Sequence, residues 1–490
     1  MDNVKFLLLA FCVLGASCTK DFGSLGMDPE NPVTVPSATV FLQAEKDFFD
    51  AFSSASRGVA PFRVLAQEWT ENTYVYEAVY DFSAYQAPDG WWNTLYANVL
   101  HNLEAARTLF PSDLSDPVQV RHSEDITDIL EVYAYYLAMA TYGDIPYTEA
   151  ENDMIPFPSY DDGRKVYEDL FVRLDSSASG LSLPGASIPP GAEQVYGGNP
   201  QAWMKFAATL KLKMALLSAD ADPAGAQTKV LAALEAGVFT ANSDNALLTY
   251  DPSSPGNSSP VWQELVNSGQ HNFCPADLLV NTMLAWEDPR LSFYFSLDGY
   301  GAYSGGIPGA GNGYGTVSDF SGLLQQPAYP ADILDYPETE FLLAEAAARG
   351  MPVGGTAESY YDNAIVASVE FWSLAGGRTQ GNADSAAAVY LSQPSVAYAT
   401  AQGPWQRKIG YQAWIAAYGL NWDAWTGIRR LGYPALDSVN PPLGAHGLLP
   451  LRFTYPIAEQ TANSLNWKAA VSALPGGQDV VSVKLWWMNG

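Results

Sequence analysis

The sequence predicts a mostly α-helical protein in which helical hairpins support a loop-rich region with a small amount of β-structure. The clearest helix includes the segment 126–142, where apolar residues recur at the three- and four-residue spacing of one helical face. Gly143 and Pro146 end it, because glycine tolerates a left-handed backbone and proline cannot continue a helix. The apolar residues are Ile126, Ile129, Leu130, Tyr133, Tyr136, Leu137 and Ala140.

Two other helix starts carry strong local signals. Asn199 is a favourable N-cap, and Pro200 suits the first helical position, where no backbone N–H is needed. Asp222 and Pro223 repeat this arrangement for a shorter helix, which Gly237 should end. Further helices are predicted from Ser37, as an N-cap, towards residue 57 and over 91–110 and 160–174.

A pair of short apolar helices, 339–349 and 357–374, is joined through Gly350. Such a pair is typical of tetratricopeptide-like units. The helix starts do not recur at a fixed interval along the chain. We therefore expect helical hairpins and not a regular solenoid.

Three segments lack a helical period. Residues 67–90 are polar and aromatic and are predicted to form a long ordered loop. From about residue 238 to residue 335, turn residues and aromatics replace the helical pattern, and 298–315 alone contains eight glycines. Near the end of the chain, Val481, Val483, Leu485 and Trp487 alternate with other residues, which predicts a late strand in a small sheet.

The composition indicates a folded protein that does not bind nucleic acid. The chain has 490 residues, of which 48% are hydrophobic and only 16% are charged, so a sizeable core is expected. Its formal net charge of −29 would repel a phosphate backbone.

The amino-terminal segment predicts export and lipid attachment. Residues 1–17 contain an apolar run too short to span a bilayer, followed by small residues and Cys18, as in a bacterial lipobox. Cys18 would then carry acyl chains such as palmitate, and 18–36 would be a tether. The alternative is an ordinary signal peptide with an incidental cysteine. If Cys12 is removed with the signal and Cys18 is acylated, only Cys274 remains, so no intramolecular disulfide is expected.

Motifs spread over nearly the whole chain resemble those of the SusD/RagB family of outer-membrane lipoproteins from Bacteroidetes-type bacteria. No single motif decides the matter, but their order and the lipobox are specific together. Examples are WWNTLYANVLHNLEAAR (91–107), ILEVYAYYLAMATYGDIPYTEA (129–150), WMKFAATLKLKMALLSA (203–219), YPETEFLLAEAAARG (336–350), NWDAWTGIRRLGYP (421–434) and LRFTYPIAEQTANSLNWKAAV (451–471).

The resemblance implies a single SusD-like domain over 37–490, with about four tetratricopeptide-like hairpins. Its helical scaffold would lie mainly in 37–237 and 335–376, and its ligand-binding loops mainly in 67–90 and 238–334. It implies an outer-membrane protein, facing the cell exterior, that delivers oligosaccharides or other nutrients to a SusC-like TonB-dependent barrel. Lipid would be the only membrane attachment. Peptide ligands for the same role, and a glycoside hydrolase on a helical scaffold, are the alternatives.

Glycan binding uses aromatic faces against the apolar face of a sugar, so aromatics in the non-helical segments are the candidates. An equally good interpretation of each is a ring packed beneath its own loop. Three tyrosines of the glycine-rich stretch are favoured, because the neighbouring glycines supply nothing to bury them. The candidates are Trp69, Tyr74, Tyr76, Tyr80, Trp262, Tyr300, Tyr303 and Tyr314.

Other tryptophans and arginines are assigned to the scaffold. Five tryptophans on helical stripes or in family-like motifs should lie in the core: Trp91, Trp92, Trp203, Trp422 and Trp425. Arg429 and Arg430 could bind a carboxylate ligand, but buried ion pairs are the better interpretation.

Catalysis is not expected, because the four histidines are scattered and no metal or nucleophile motif is present. The acid pairs Asp161-Asp162 and Glu287-Asp288 have structural explanations at a helix start and a turn. No cofactor is predicted. A structural cation such as calcium on Asp298 or Asp319 would be compatible with the loop, but no defined calcium motif supports it.

Overall fold

The longest helix among the described residues, Pro117–Tyr142, forms the centre of the molecule. The computed structural model describes residues 35–152, 154–254, 256–439 and 448–488. Asp116 caps this helix by accepting a hydrogen bond from the backbone N–H of Val118, and Pro117 occupies its first turn. Gly143 ends it with φ of +100°, as expected. The helix therefore starts well before the predicted Ile126, and from there to its end almost every residue is buried, not one face only.

The longer helices pack in pairs around this centre. Pro117–Tyr142 packs on Gly163–Leu181, Pro200–Leu217 packs on Pro223–Ala236, and Tyr336–Ala348 packs on Ala357–Ala375. A fourth pair, Ser37–Ser53 with His101–Asp113, brings together helices that are separated in the chain. The mostly α-helical class and the helical hairpins predicted from the sequence are thus confirmed.

Helices also continue beyond the predicted scaffold boundary at residue 376. They are Gln380–Leu391, Trp405–Ala416, Asn421–Leu431, Ile457–Ala462 and Ser464–Ala473. Shorter α-helices occur at Phe62–Leu65, Ala87–Asn93, Pro260–Trp262, Asp277–Ala285 and Leu291–Tyr294. π-helical turns cover Thr94–Leu100 and Gln263–Asn267, and 3₁₀ turns cover Glu77–Val79, Asn242–Asp244, Ala417–Gly419, Pro475–Gly477 and Trp486–Met488.

Two short antiparallel strand pairs join distant parts of the chain. Trp69–Glu71 pairs with Phe273–Pro275, so that Trp69 lies opposite Pro275 and Glu71 opposite Phe273. Leu247–Leu248 pairs with Ala331–Asp332. The pairing of 69–71 with 273–275 connects the two segments that the sequence marks as irregular.

The predicted late strand is wrong. Residues 481–485 are turn and irregular backbone, and the segment ends in the 3₁₀ turn Trp486–Met488. Its alternating apolar residues are still buried, because Leu485 and Trp487 pack into the main core. An alternation of apolar residues over so short a segment therefore indicates buried side chains but does not establish a paired strand.

Other local expectations need correction. Residues 67–90 are not one loop, because they contain a strand, a 3₁₀ turn and the start of the helix Ala87–Asn93. The irregular middle contains the helix Asp277–Ala285. Ser37 is the first helical residue and not the N-cap, and its backbone N–H donates to Asp113 Oδ2 at 2.7 Å.

The helix cap at Asn199 is confirmed. Its side-chain oxygen accepts hydrogen bonds from the backbone N–H groups of Gln201 and Ala202, and Pro200 follows it in the first turn. The shorter helix also starts as predicted, with Asp222 accepting from the N–H of Gly225. These caps satisfy backbone donors that the first helical turn leaves free.

The tryptophans assigned to the scaffold are buried, the two arginines are partly buried, and the prediction for one arginine needs correction. All five tryptophans predicted for the core lie there. Arg430 forms the expected ion pair, with Glu345. Arg429 instead donates to the carbonyls of Ala140 and Leu451, at 2.9 and 3.0 Å, and stacks 3.3 Å from the ring centroid of Trp425. A cation–π contact thus replaces the ion pair predicted for Arg429.

In the part of the chain that the structure describes, no helix combines the length and apolar character needed to cross a bilayer. The predicted signal peptide, Cys18 and most of the tether lie outside the described residues.

Replacing Gly143 with alanine is expected to lower the free energy of unfolding by about 1–3 kcal/mol. The backbone at this residue has φ of +100° and ψ of −117°, which an L side chain adopts only under strain, and an added Cβ would lie 3.0 Å from Leu485 Cδ2. Urea denaturation measures the effect. Gly381→Ala is the matched control, because Gly381 lies inside the helix Gln380–Leu391 with open space around it. Equal stability of the Gly143→Ala and Gly381→Ala variants would contradict this account.

Candidate ligand-binding site

Asn72 joins the segments 67–90 and 238–334 by hydrogen bonds next to the strand pair. Its side-chain amide donates to the carbonyls of His271 and Phe273, at 3.0 and 3.1 Å. Its backbone N–H donates to the carbonyl of Asn272 at 2.7 Å. The loops predicted at 67–90 and 238–334 therefore meet at one surface, although about 200 residues of chain separate them.

The glycine-rich segment 298–315 lies against this junction. Asn312 donates its side-chain amide to the carbonyl of Glu71 at 3.0 Å, and its backbone N–H to the carbonyl of Asn72 at 3.2 Å. Gly306 pairs with Ala276 at the end of the strand, and a Cβ added to Gly306 would lie 2.6 Å from Cys274 Sγ. Glycine is therefore needed here because the side chains of Cys274 and Asn312 occupy the space that a Cβ would take.

Four of the predicted ligand-binding tyrosines are exposed on this surface. The exposed fractions are 63% for Tyr74, 37% for Tyr76, 83% for Tyr300 and 56% for Tyr314. These fractions are unusual for a residue with so much apolar surface, and they leave ring faces available to a ligand. Trp262 is half-buried, and Tyr303 is half-buried and packs against the core.

Trp69 and Tyr80 are wrongly predicted as ligand contacts. Trp69 is 1% exposed, because its position in the strand points its ring at Phe320, with ring centroids 4.3 Å apart. Tyr80 is 2% exposed and follows a 3₁₀ turn with φ of +63°. Neither ring offers a face to solvent, so both belong to the support beneath the surface.

A cleft with an empty volume of about 680 Å³ opens beside Tyr314. The ring of Tyr314 stacks on the imidazole of His271, with centroids 3.5 Å apart and an interplanar angle of 13°. Both side chains are exposed, so the stack presents a flat aromatic surface at the cleft. The polar and aromatic lining includes Asn72, Phe273, Asp298, Tyr314, Ser318 and Asp319.

The comparisons with known proteins identify the family. The family model SusD-like_2, described as "Starch-binding associating with outer membrane", matches residues 29–456. The chain belongs to the SusD-like family. No curated protein matches its sequence.

Solved SusD-like structures share the fold. A chitin-binding protein is 24% identical with a TM-score of 0.79, covering 92% of this chain and 99% of its own. A SusD homologue from Bacteroides fragilis is 22% identical with a TM-score of 0.79, covering 93% and 99%. A chitin-binding SusD homologue from Flavobacterium johnsoniae is 22% identical with a TM-score of 0.77, covering 91% and 98%. At these identities the similarity shows a common SusD-like fold.

A second group of aromatics surrounds Arg57, beside the strand pair of this SusD-like chain. The guanidinium carbon of Arg57 lies 5.8 Å from the ring centroid of Tyr74, 5.4 Å from that of Tyr85 and 5.2 Å from that of Phe273. Tyr85 is 38% exposed and packs edge-on against Tyr76. Cation–π contacts with the buried Arg57 thus stabilise the positions of the exposed rings of Tyr74 and Tyr85.

Sequence reasoning missed three residues of this surface: Arg57, Tyr85 and His271. Tyr85 lies in the segment that the sequence already marks as polar and aromatic. Only its exposure to solvent could not be predicted from that pattern. His271 and Arg57 carry no local signal, because their positions depend on the pairing of 69–71 with 273–275.

Two buried carboxyl groups lie under the Arg57 group. Glu71 Oε1 is 3.0 Å from Arg57 Nε, and Glu71 Oε2 accepts from the N–H of Ala78. Burial, only partly opposed by Arg57, raises the pKa of Glu71 from 4.5 to about 7. Burial and the nearby Glu71 raise the pKa of Glu77 to about 9. The two carboxyl groups therefore hold protons at pH values where exposed glutamates are ionised.

The acids considered for catalysis or cation binding have structural partners. Asp162 caps the helix Gly163–Leu181, and the carboxylate of Asp288 pairs with Arg290 inside the core. Asp298 accepts hydrogen bonds from the N–H groups of Tyr300 and Ala302 and from Ser304 Oγ. Among the described residues, no group of three or more His, Cys, Asp or Glu side chains could hold a metal ion.

Stability is expected to fall as pH rises from about 5 to about 9, with Glu71 and Glu77 among the groups responsible. Both folded-state pKa values are raised above 4.5, so protonation favours the folded state and its contribution is lost as the groups ionise. Glu77→Gln should flatten this dependence, because glutamine stays neutral. The urea unfolding midpoint across this pH range measures it. Glu235→Gln, at an exposed helix position, is the control. A Glu77→Gln profile parallel to that of the wild-type protein would refute the assignment.

Proposed function

We propose that this SusD-like chain is a lipid-anchored outer-membrane protein that binds oligosaccharides non-covalently and delivers them to a SusC-like TonB-dependent barrel. The observation that carries the proposal is the exposed stack of Tyr314 on His271 beside a polar cleft. Flat aromatic faces next to hydroxyl, amide and carboxylate groups suit the apolar face and the hydroxyl groups of a sugar. The family description names starch binding, and two similar structures are named as chitin-binding.

The ligand surface in this proposal includes the other exposed rings. Tyr300 and Tyr74 are the most exposed of them, and Tyr76 follows Tyr74 after one intervening residue. Trp262 and Tyr303, which are half-buried, would contribute an edge and not a full face. The helical scaffold would hold these loops at a fixed distance from the SusC-like barrel.

Tyr314→Ala is expected to weaken oligosaccharide binding by about tenfold, because it removes one stacking face. Isothermal titration against malto-oligosaccharides and chito-oligosaccharides measures the change. Phe157→Ala is the control, because Phe157 is an exposed ring, at 54%, on a different segment that packs beside the helix Ser464–Ala473.

Three outcomes would count against the proposal in different ways. Unchanged affinity in Tyr314→Ala would exclude the stack as the binding surface. Binding of peptides in place of any oligosaccharide would favour the same delivery role with a different ligand. Turnover of an oligosaccharide, abolished by replacing one carboxylate, would favour a glycoside hydrolase.

Cys18 is the proposed lipid attachment site. Cys18→Ser should abolish incorporation of labelled palmitate and release the protein from the outer-membrane fraction. Cys12→Ser is the matched control and should change neither, because Cys12 lies in the predicted signal peptide. Labelling that persists in Cys18→Ser would contradict the assignment.

The proposed partnership with a TonB-dependent barrel can be tested by purification. From detergent-solubilised outer membranes, the acylated protein should co-purify with a TonB-dependent barrel. Its recovery without one would contradict the partnership.

A further inference from the structure

The cleft beside Tyr314 is acidic. Its charged lining side chains are Asp298 and Asp319, and no Lys or Arg is among its lining residues in the described part of the chain. Hydrogen bonds from the surrounding loop lower the pKa of Asp298, so its charge is present at neutral pH. A ligand in this cleft therefore meets negative charge.

Arg57, which lies nearby, is already committed to other groups. Its Nε contacts Glu71 at 3.0 Å, and its Nη2 donates to the carbonyls of Thr73 and Asn272, at 2.9 and 3.4 Å. Arg57 is only 8% exposed, because rings of Tyr74, Tyr85 and Phe273 surround it. Turning towards the cleft would break its contact with the buried Glu71 carboxyl group.

Asp319 has a free acceptor atom at the cleft. Its backbone is fixed, because its carbonyl accepts from the N–H of Ser296 at 2.9 Å and the next residue, Phe320, pairs with Phe295. Its Oδ1 accepts from the N–H of Phe320 at 2.8 Å, whereas no group in the described ranges donates to Oδ2. Burial raises the pKa of Asp319, and the hydrogen bond from the Phe320 N–H and, less strongly, the nearby His271 oppose this shift.

We propose that Asp319 is a specificity-determining residue that favours glycans with a free amino group over N-acetylated and anionic glycans. This inference depends on the proposed function, since it assumes that a sugar binds at the Tyr314–His271 stack. A protonated sugar amine would donate a charge-assisted hydrogen bond to Asp319 Oδ2 and offset the cost of its burial. A uronate or sulfate group would instead place like charges together in the cleft. An N-acetyl group has a neutral N–H and a bulkier substituent, so its hydrogen bond to Asp319 would contribute less to binding.

The test compares oligomers of glucosamine, N-acetylglucosamine and galacturonic acid of equal length, by isothermal titration at slightly acidic pH and low salt. The wild-type protein should bind the glucosamine oligomer about fivefold more tightly than the N-acetylated one, and the uronate oligomer most weakly. Asp319→Asn should remove the preference for the amine, so that the glucosamine and N-acetylated oligomers bind with affinities within about twofold of each other. Asp384→Asn, at an exposed position on the helix Gln380–Leu391, is the charge control and should keep the preference.

A second measurement on the wild-type protein does not depend on any variant folding. Raising the salt concentration should weaken binding of the glucosamine oligomer but not of the N-acetylated one, because only the first gains from charge. Equal affinities of the wild-type protein for the two oligomers, with no effect of Asp319→Asn, would overturn the inference. If the N-acetylated oligomer still depended on Tyr314, the proposed function would stand. If no oligosaccharide bound, the proposed function and the inference would both fail.

Discussion

The pairing of Trp69–Glu71 with Phe273–Pro275 is the contact on which the candidate ligand surface depends. Three residues on each side bring together chain segments that are far apart in sequence, and Asn72 and Asn312 add side-chain hydrogen bonds to the same junction. Closing so long a loop has an entropic cost that a pairing of this size cannot offset alone. The helical pairs supply the remainder, because both segments are connected to helices that are packed in the scaffold.

The helical scaffold was largely predictable from the sequence, because its signals are local. Asn199 caps a helix and Gly143 ends one through hydrogen bonds and backbone angles that involve only neighbouring residues. Patterns without such caps were less informative. The alternation around Leu485 predicted a strand, but burial against a helix end gives the same pattern without pairing. The helix Asp277–Ala285 was missed because turn residues flank it closely.

The site was predictable only in part, because exposure is not a local property. Tyr74 and Trp69 lie in the same polar and aromatic segment, yet one is exposed and the other is buried under Phe320. Strand pairing decides between them, since it directs Trp69 into the core. Tyr300 and Tyr314 were the safer predictions, because glycine neighbours cannot cover a ring. His271 acquires its role only through its stack on Tyr314, which no sequence pattern near it indicates.

This arrangement separates two tasks within one SusD-like chain. Buried helices, with Pro117–Tyr142 at their centre, provide a rigid scaffold. The loops joined by the strand pair carry the side chains of the candidate ligand surface. The central claim is that oligosaccharide binds on those loops. A crystal structure of the protein with a bound oligosaccharide tests it most directly. The account predicts a sugar ring against Tyr314, within the cleft bounded by Asp298 and Asp319. An ordered sugar on the helical scaffold, with this cleft empty, would contradict it.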